Sequence, residues 1–245
     1  MDDDSHGHHY GNFHNYYQFH DTKGRICAMM KDSIRDIWIR MDCPSTFSIL
    51  DVGCNEGNLT AEMLRLAKEQ LPGVACSAVG IDLDEVLIER AKEKFKDECD
   101  MNFCVVDCMR PGAVDECLQS LQVVSFSLVC AFSITMWIHM NHSDEGLLFF
   151  LKMLYQVCAG AVLVEPQKWK SYRNAMQRCR RRGIQVLPHY QDLAITDVEG
   201  ECTRMYVEEC GMKLGWTATS EGWGRELLLF CKHSSRTTGS EKISS

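Results

Sequence analysis

Residues 48–57 read Ser48-Ile49-Leu50-Asp51-Val52-Gly53-Cys54-Asn55-Glu56-Gly57, an apolar run that meets an acid and then a glycine turn. An amphipathic segment from Asn58 to Gln70 follows. Strand, turn and helix therefore succeed one another in the pattern of a nucleotide-type cofactor site, with Gly53 and Gly57 letting backbone approach a ligand. A dinucleotide fingerprint G-x-G-x-x-G would need a glycine where Asn55 stands, so that pyrophosphate can cross the helix N-terminus. Asp51 would repel a pyrophosphate at close range and suits an ammonium group instead. S-adenosylmethionine carries one beside its sulfonium. Further on, A-V-G-I-D-L-D closes a second apolar run at Asp82, whose carboxylate can take both hydroxyls of a ribose. The glycine turn alone could be an ordinary loop, but a second acid at this separation favours a cofactor site.

The same alternation continues outward. Strands are predicted at Phe47–Val52, Ala75–Asp82, Asn102–Val106, Phe126–Phe132, Ala161–Glu165, Lys213–Thr217 and Glu226–Lys232. Helices are predicted at Ile26–Met41, 58–70, 84–96, 113–121, 143–158, 168–182 and 202–210. Helices between strands imply a mainly parallel sheet with both faces covered. The last two strands are joined by T-S-E-G-W-G-R (Thr219–Arg225), which suits a hairpin and an antiparallel edge. The fold class is α/β, a Rossmann-like, mainly parallel seven-stranded sheet with helices on both faces, the plan of class I S-adenosylmethionine-dependent methyltransferases. Residues 1–25 read as a polar, aromatic arm, expected to contribute to the cofactor and substrate site. Residues 26–233 are the methyltransferase domain, and 234–245 a disordered tail.

A chain of 245 residues, 45% apolar, supplies one full-sized core, and a monomer is expected. No run reaches the roughly 18 apolar residues of a membrane span and the N-terminus is acidic, so no membrane partner is expected and the setting is cytoplasmic. The 14 cysteines are scattered, several within apolar strands, with no C-x-x-C pair, and read as reduced core thiols. No clustered His and Glu set suggests a metal. A net charge of −8 argues against a general nucleic-acid binder. Residues 168–182 nevertheless hold seven basic residues and no acid, interleaved with Trp169 and Tyr172. They form either a solvated helix face or a local phosphate track with stacking surface.

In open parallel sheets, ligands bind beyond the carboxyl ends of the strands. That rule selects Asp51 to Gly57, Asp82, Asp107 with Cys108, Phe132 to His139, and Glu165 to Lys170. Asp107 is placed either to accept from an adenine amine, with Cys108 donating its backbone N–H, or to cap a helix. Phe132 either packs on the cofactor or belongs to the core.

Five blocks together are specific: G-N-F-H-N-Y-Y-Q-F-H (Gly11–His20), L-D-V-G-C-N-E-G (Leu50–Gly57), I-D-L-D (Ile81–Asp84), S-I-T-M-W-I-H-M-N (Ser133–Asn141) and E-P-Q-K-W-K-S-Y (Glu165–Tyr172). In this order they resemble the Bicoid-interacting-3-type RNA methyltransferases. The resemblance implies S-adenosylmethionine-dependent methylation of the 5′-terminal phosphate of a small RNA. One branch of that family caps the γ-phosphate of a small nuclear RNA, and the other acts on 5′-monophosphates, such as those of precursor microRNA and histidine tRNA. Phe19-His20, where the capping branch has Tyr-Arg, and Met136, where it usually has Lys, resemble the monophosphate branch. A histidine suits a single phosphate better than a permanently charged guanidinium. By the same resemblance Arg25, Asn55, Asp82, Asp107, Cys108 and Phe132 contact the cofactor, with Arg25 on its carboxylate. Cys108 and Phe132 differ in type from the Phe and Met that branch favours.

A phosphate monoester has a second pKa near ~6 and needs no general base, so no catalytic acid or base is assigned. Asn12, Tyr16 and His20, with Lys168 or Lys170, are candidates to hold the phosphate. His139 either joins them or is a structural hydrogen-bonder. Trp137 and Trp169 either stack on the terminal base or lie in the core. A catalytically idle RNA-binding module is the reading from a different class.

Overall fold

The computed structural model describes residues 32–181, 183, 187–219 and 224–233. Its strands are β1 (Thr46–Val52), β2 (Ala75–Asp82), β3 (Met101–Val105), β4 (Phe126–Phe132), β5 (Cys158–Glu165), β6 (Lys213–Thr219) and β7 (Glu226–Cys231). Its helices are α1 (Ser33–Arg40), α2 (Asn58–Gln70), α3 (Glu85–Lys94), α4 (Ala113–Ser120), α5 (Thr135–Gln156), α6 (Trp169–Arg181) and α7 (Val198–Thr203), the last continued by a π-helical turn, Arg204–Glu209.

The seven strands form one sheet in the order β3-β2-β1-β4-β5-β7-β6. β1 to β5 are mutually parallel, whereas β7 runs antiparallel to both β5 and β6. This is the architecture of class I S-adenosylmethionine-dependent methyltransferases expected from the sequence. The order reverses between β1 and β4, which opens a crevice at their carboxyl ends. β4 is buried at all seven positions, as a central parallel strand covered on both faces must be.

The covering layers follow from the periodicity. Apolar faces of α4, α5 and α6 pack with Leu50, Val79, Val129 and Val162 on one side. On the other, α1 and α2 bury Ile34, Ile37, Leu59 and Met63 against Phe47, Ile49, Leu128 and Leu163. A smaller cluster of Cys54, Ile88, Ala91 and Phe103 seats α3.

α2, β2 and β4 fall on their predicted bounds; the other strands and α3, α4 and α6 shift by one to three residues, with β5 starting at Cys158 rather than Ala161, and the larger departures are in three helices. Helix α5 is two helical halves joined at a kink where His142 and Ser143 (φ 66°) leave helical geometry; the half after Ser143 matches the helix predicted from 143, and the half from Thr135 to that break was not predicted. Gly146 packs against this kink, where an added Cβ would lie 2.3 Å from His142 Cβ. The helix predicted at 202–210 is instead α7, capped by Asp197 accepting from Gly200 N–H, plus the π-helical turn. α1 starts at Ser33; the predicted stretch from Ile26 to residue 31 lies outside the described residues, as do the N-terminal arm and the C-terminal tail.

Candidate active site

The turn after β1 is built from left-handed residues. Gly53 (φ 78°), Asn55 (φ 53°) and Gly57 (φ 76°) all have positive φ. The N–H groups of Gly53 and Cys54 both donate to the Ile81 carbonyl, at 2.8 and 3.0 Å, tying the turn to the end of β2. An added Cβ on Gly57 would sit 2.6 Å from the Phe103 ring, and one on Gly53 2.7 Å from Ile134 Cδ1. Both glycines therefore serve close packing as well as conformation. Asn55 occupies its left-handed position because short polar side chains tolerate it, and its Oδ1 accepts from Glu56 N–H at 2.9 Å.

Three acids end three successive strands. Asp51 is only 2% exposed and accepts from the Thr60 hydroxyl at 2.6 Å, so its carboxylate lies between β1 and α2. Asp82 is half-buried. One of its oxygens accepts from Asn55 N–H at 2.9 Å and the other from Asp84 N–H at 3.0 Å. Burial pushes its carboxyl above the ordinary carboxylate range, and these backbone N–H groups oppose the shift. Asp107 is exposed and accepts from Met109 N–H at 2.9 Å, which closes the turn after β3. The Cys108 side chain is packed in the core. Its thiol is pushed up to about 12 by burial and then by the charges of Asp107 and Asp82, and Val106 N–H donates to the Asp82 carbonyl at 2.9 Å, which ties the segment leading to Asp107 to the end of β2. Phe132 is 7% exposed, packed with Leu59 and Met63.

This donor set fits S-adenosylmethionine. A carboxylate oxygen has more than one acceptor site, so the backbone N–H groups that Asp82 accepts leave its oxygens capacity for ribose hydroxyls, and Asp107 faces solvent beside it. The glycine turn brings backbone between these acids and Asp51. Asp51, Gly53, Asn55, Gly57 and Asp82 thus form one cluster, with Asp107 and Cys108 next to it.

Beyond β4 and β5 lies a polar network whose pairing, and whose use of Arg225, strand-end position does not give. Ser133 (φ 57°) donates its N–H to the Glu165 carbonyl and its hydroxyl to the fully buried Glu165 carboxylate. Arg225 donates to the Ser133 hydroxyl at 2.5 Å. Gln167 Oε1 accepts from Thr135 Oγ1 and Met136 N–H at 2.7 and 2.9 Å, fixing the first turn of α5. The available signal was two polar residues, Glu165 and Gln167, following an apolar strand.

His139 is 0% exposed. Its Nε2 lies 2.6 Å from Asp144 Oδ1 and its Nδ1 3.0 Å from the Tyr172 hydroxyl. An Nε2–H tautomer donating to Asp144 and accepting from Tyr172 satisfies both nitrogens. Burial lowers its pKa, with the Asp144 hydrogen bond and charge opposing. Asp144 also accepts from Ala194 and Ile195 N–H at 2.9 and 3.2 Å, anchoring that segment to α5. The ring of Trp169 stacks between Tyr172 and Tyr190, with centroids 4.8 and 5.8 Å away. Trp137 lies in the core. Lys168 and Lys170 are exposed at the start of α6, and Lys168 lies 3.9 Å from Glu199. Asn12, Tyr16, His20 and Arg25 lie outside the described residues. Among the described residues no group of three or more His, Cys, Asp or Glu is placed to hold a metal ion, and no helix is long and apolar enough to cross a membrane.

Comparison with known proteins accords with this geometry. The family model for Bicoid-interacting protein 3 (Bin3) matches residues 126–232, and a general methyltransferase domain model matches 49–159. The chain is 33% identical over 243 residues to the RNA 5′-monophosphate methyltransferase of Mus musculus, covering 93% of this chain and 85% of that one. It is 34% identical to the pre-miRNA 5′-monophosphate methyltransferase of Xenopus laevis, over 90% of this chain and 91% of that one. The U6 snRNA methylphosphate capping enzyme Amus of Drosophila melanogaster is 27% identical, over 67% of this chain and 55% of that one. A TehB-like SAM-dependent methyltransferase from Corynebacterium glutamicum shares the fold, with TM-score 0.50 and 16% identity over 89% of this chain and 92% of that one. With the glycine turn, the acids at successive strand ends and likeness along nine-tenths of its length, the chain belongs to the Bin3 family of S-adenosylmethionine-dependent methyltransferases.

Proposed function

We propose that this enzyme, an S-adenosylmethionine-dependent RNA 5′-phosphate methyltransferase, acts on 5′-monophosphate ends. The extent of the likeness to the mouse and frog monophosphate enzymes, 33–34% identity over at least 90% of this chain, supports that choice. The capping enzyme's likeness is lower and covers less.

The chemistry is compatible with what the chain provides. Bound S-adenosylmethionine supplies an activated methyl group, and the departing thioether needs no acid. A terminal phosphate monoester is largely dianionic at neutral pH, so its oxygen needs no base. His139 has both nitrogens engaged inside the protein, which suits a reaction driven by orientation and closeness. In this proposal Asp82 holds the ribose, Asp107 the adenine amine, Asp51 and Arg25 the amino-acid end, and Gly53 to Gly57 the backbone approach; Cys108 contributes its backbone N–H, and Phe132, its side chain in the core, supports the site from the end of β4. Asn12, Tyr16 and His20 of the arm and Lys168 or Lys170 orient the phosphate. We place the enzyme in the cytoplasm as a monomer, with precursor microRNA or histidine tRNA as its substrate.

The test is transfer of a labelled methyl group to one small RNA carrying a 5′-monophosphate, a 5′-triphosphate or a 5′-hydroxyl. Transfer confined to the monophosphate is expected. Preference for the triphosphate would move the enzyme to the capping branch, and cofactor binding without transfer to any end would favour an RNA-binding role.

A further inference from the structure

Helix α6 carries a charge pattern that continues well past Lys170, the last of its residues given a part in methyl transfer. Its apolar side, Tyr172, Ala175, Met176 and Cys179, is buried, which turns Lys170, Arg173, Arg178, Arg180 and Arg181 to solvent. The helix contains no acid. Elsewhere basic side chains are laced to acids: Arg65 to Glu62 and Glu69, Lys92 to Glu89, Lys96 to Glu93, Arg204 to Glu201 and Glu209. None of the five on α6 makes an ion pair among the described residues. Lys170/Arg173 and Arg178/Arg181 are like-charged pairs three residues apart, an arrangement that destabilises a helix by itself. A protein of net charge −8 thus keeps a row of unneutralised cations on one exposed face.

Position gives the row a direction. α6 starts just past the carboxyl end of β5, on the cofactor side of the sheet, and Lys170 and Arg181 lie about 16 Å apart along its axis at 1.5 Å per residue. The stack of Tyr190, Trp169 and Tyr172 fixes the first turn, so the row leads outward from the site on a rigid mount. We propose that the exposed face of α6 is a phosphate track for the body of the RNA beyond its 5′ end, with Arg173, Arg178, Arg180 and Arg181 as its far contacts. The proposal rests on the RNA reading above. Charge complementarity selects the occupant: a polyanion with regularly spaced phosphates. The buried apolar side leaves α6 nothing to insert into a bilayer.

The test compares the full chain with Arg173→Glu/Arg178→Glu/Arg180→Glu/Arg181→Glu, and with the corresponding four-fold Gln variant as a milder control, each checked for an unchanged unfolding temperature. Binding of a fluorescent 5′-hydroxyl RNA hairpin is followed against salt, and methyl transfer is measured on a 5′-monophosphate hairpin and a 5′-monophosphate trinucleotide too short to span the row as far as Arg181. The Glu variant should bind the hairpin at least about 30-fold more weakly at physiological salt, with the log–log salt slope reduced by about 3 to 4, roughly 0.7–0.9 for each of four phosphates left without its cation. Its methylation defect should appear in KM for the hairpin. Equal affinity and slope in wild type and variant, no hairpin binding by wild type, or an equal defect on hairpin and trinucleotide would each overturn the track. So would wild-type binding to phosphatidylserine vesicles in place of RNA. If wild type methylates neither RNA but hairpin binding still needs the four arginines, the methylation reading fails and the track stands.

Discussion

Replacing Tyr172 with Phe separates a structural from a substrate-handling role for His139. The substitution deletes one hydroxyl and keeps the ring, so the stack on Trp169 at 4.8 Å and the edge contact to His139 at 5.6 Å persist. What disappears is the 3.0 Å bond to His139 Nδ1. Both residues are 0% exposed, so solvent cannot replace the donor and a ring nitrogen is left as a buried, unsatisfied acceptor. Such a group costs about 1–3 kcal/mol. Taking about 2 kcal/mol, and about 2–4 °C per kcal/mol for a domain of this size, Tm should fall by about 4–8 °C. Nε2 keeps Asp144, so the ring stays in place and kcat on 5′-monophosphate RNA should remain within about twofold, a barrier change under about 0.5 kcal/mol. Thermal unfolding and saturation kinetics on the same preparation read both quantities. An unshifted Tm with a large loss of kcat would refute the reasoning, because the network would then be serving the substrate.

Other outcomes follow from the same structure. His139 and His142 both have pKa values lowered, first by burial, so the unfolded chain binds more protons than the folded one. Their stabilising contribution is complete above about pH 6.5 and is lost as pH falls below it; Tm should therefore drop between pH 7 and 5.5, and less steeply in His139→Gln, with an equal slope in both proteins counting against the assignment. Gly57→Ala places a Cβ at positive φ, costing about 1–2 kcal/mol, and 2.6 Å from Phe103. Calorimetry with S-adenosylhomocysteine should show at least about tenfold weaker binding, and wild-type affinity would show that the turn does not form the site. Asp82→Ala should abolish detectable S-adenosylhomocysteine binding by the same method, whereas retention within tenfold would remove Asp82 from the cofactor.

Much of the fold was legible because its signals were local. β2, β4 and α2 have the predicted bounds, each set by an apolar run or amphipathic period with polar residues or glycine near its ends. The first half of α5 was not, since S-D-E at 143–145 has the composition of a helix start. The chain does break there, at Ser143, but Gln167 already fixes an earlier first turn through Thr135 and Met136. That contact spans some thirty residues and leaves no trace in a local window. The same limit applies to the site. Asp51, Gly53, Asn55, Gly57, Asp82 and Asp107 could be selected as strand-end residues, whereas His139 meets Asp144 only through the break in α5 at Ser143 and meets Tyr172 only once α5 and α6 are packed together. Phe132 and Cys108 lie at strand ends too, yet their side chains face the core, which sequence position alone does not reveal.

The two backbone N–H groups that Asp82 accepts join residues on different strand-to-helix connections, Asn55 after β1 and Asp84 after β2. The carboxylate is thus a clasp between the two loops, a role it has in addition to the ligand contact proposed for it. A substitution at position 82 therefore alters the shape of the receptor together with its chemistry.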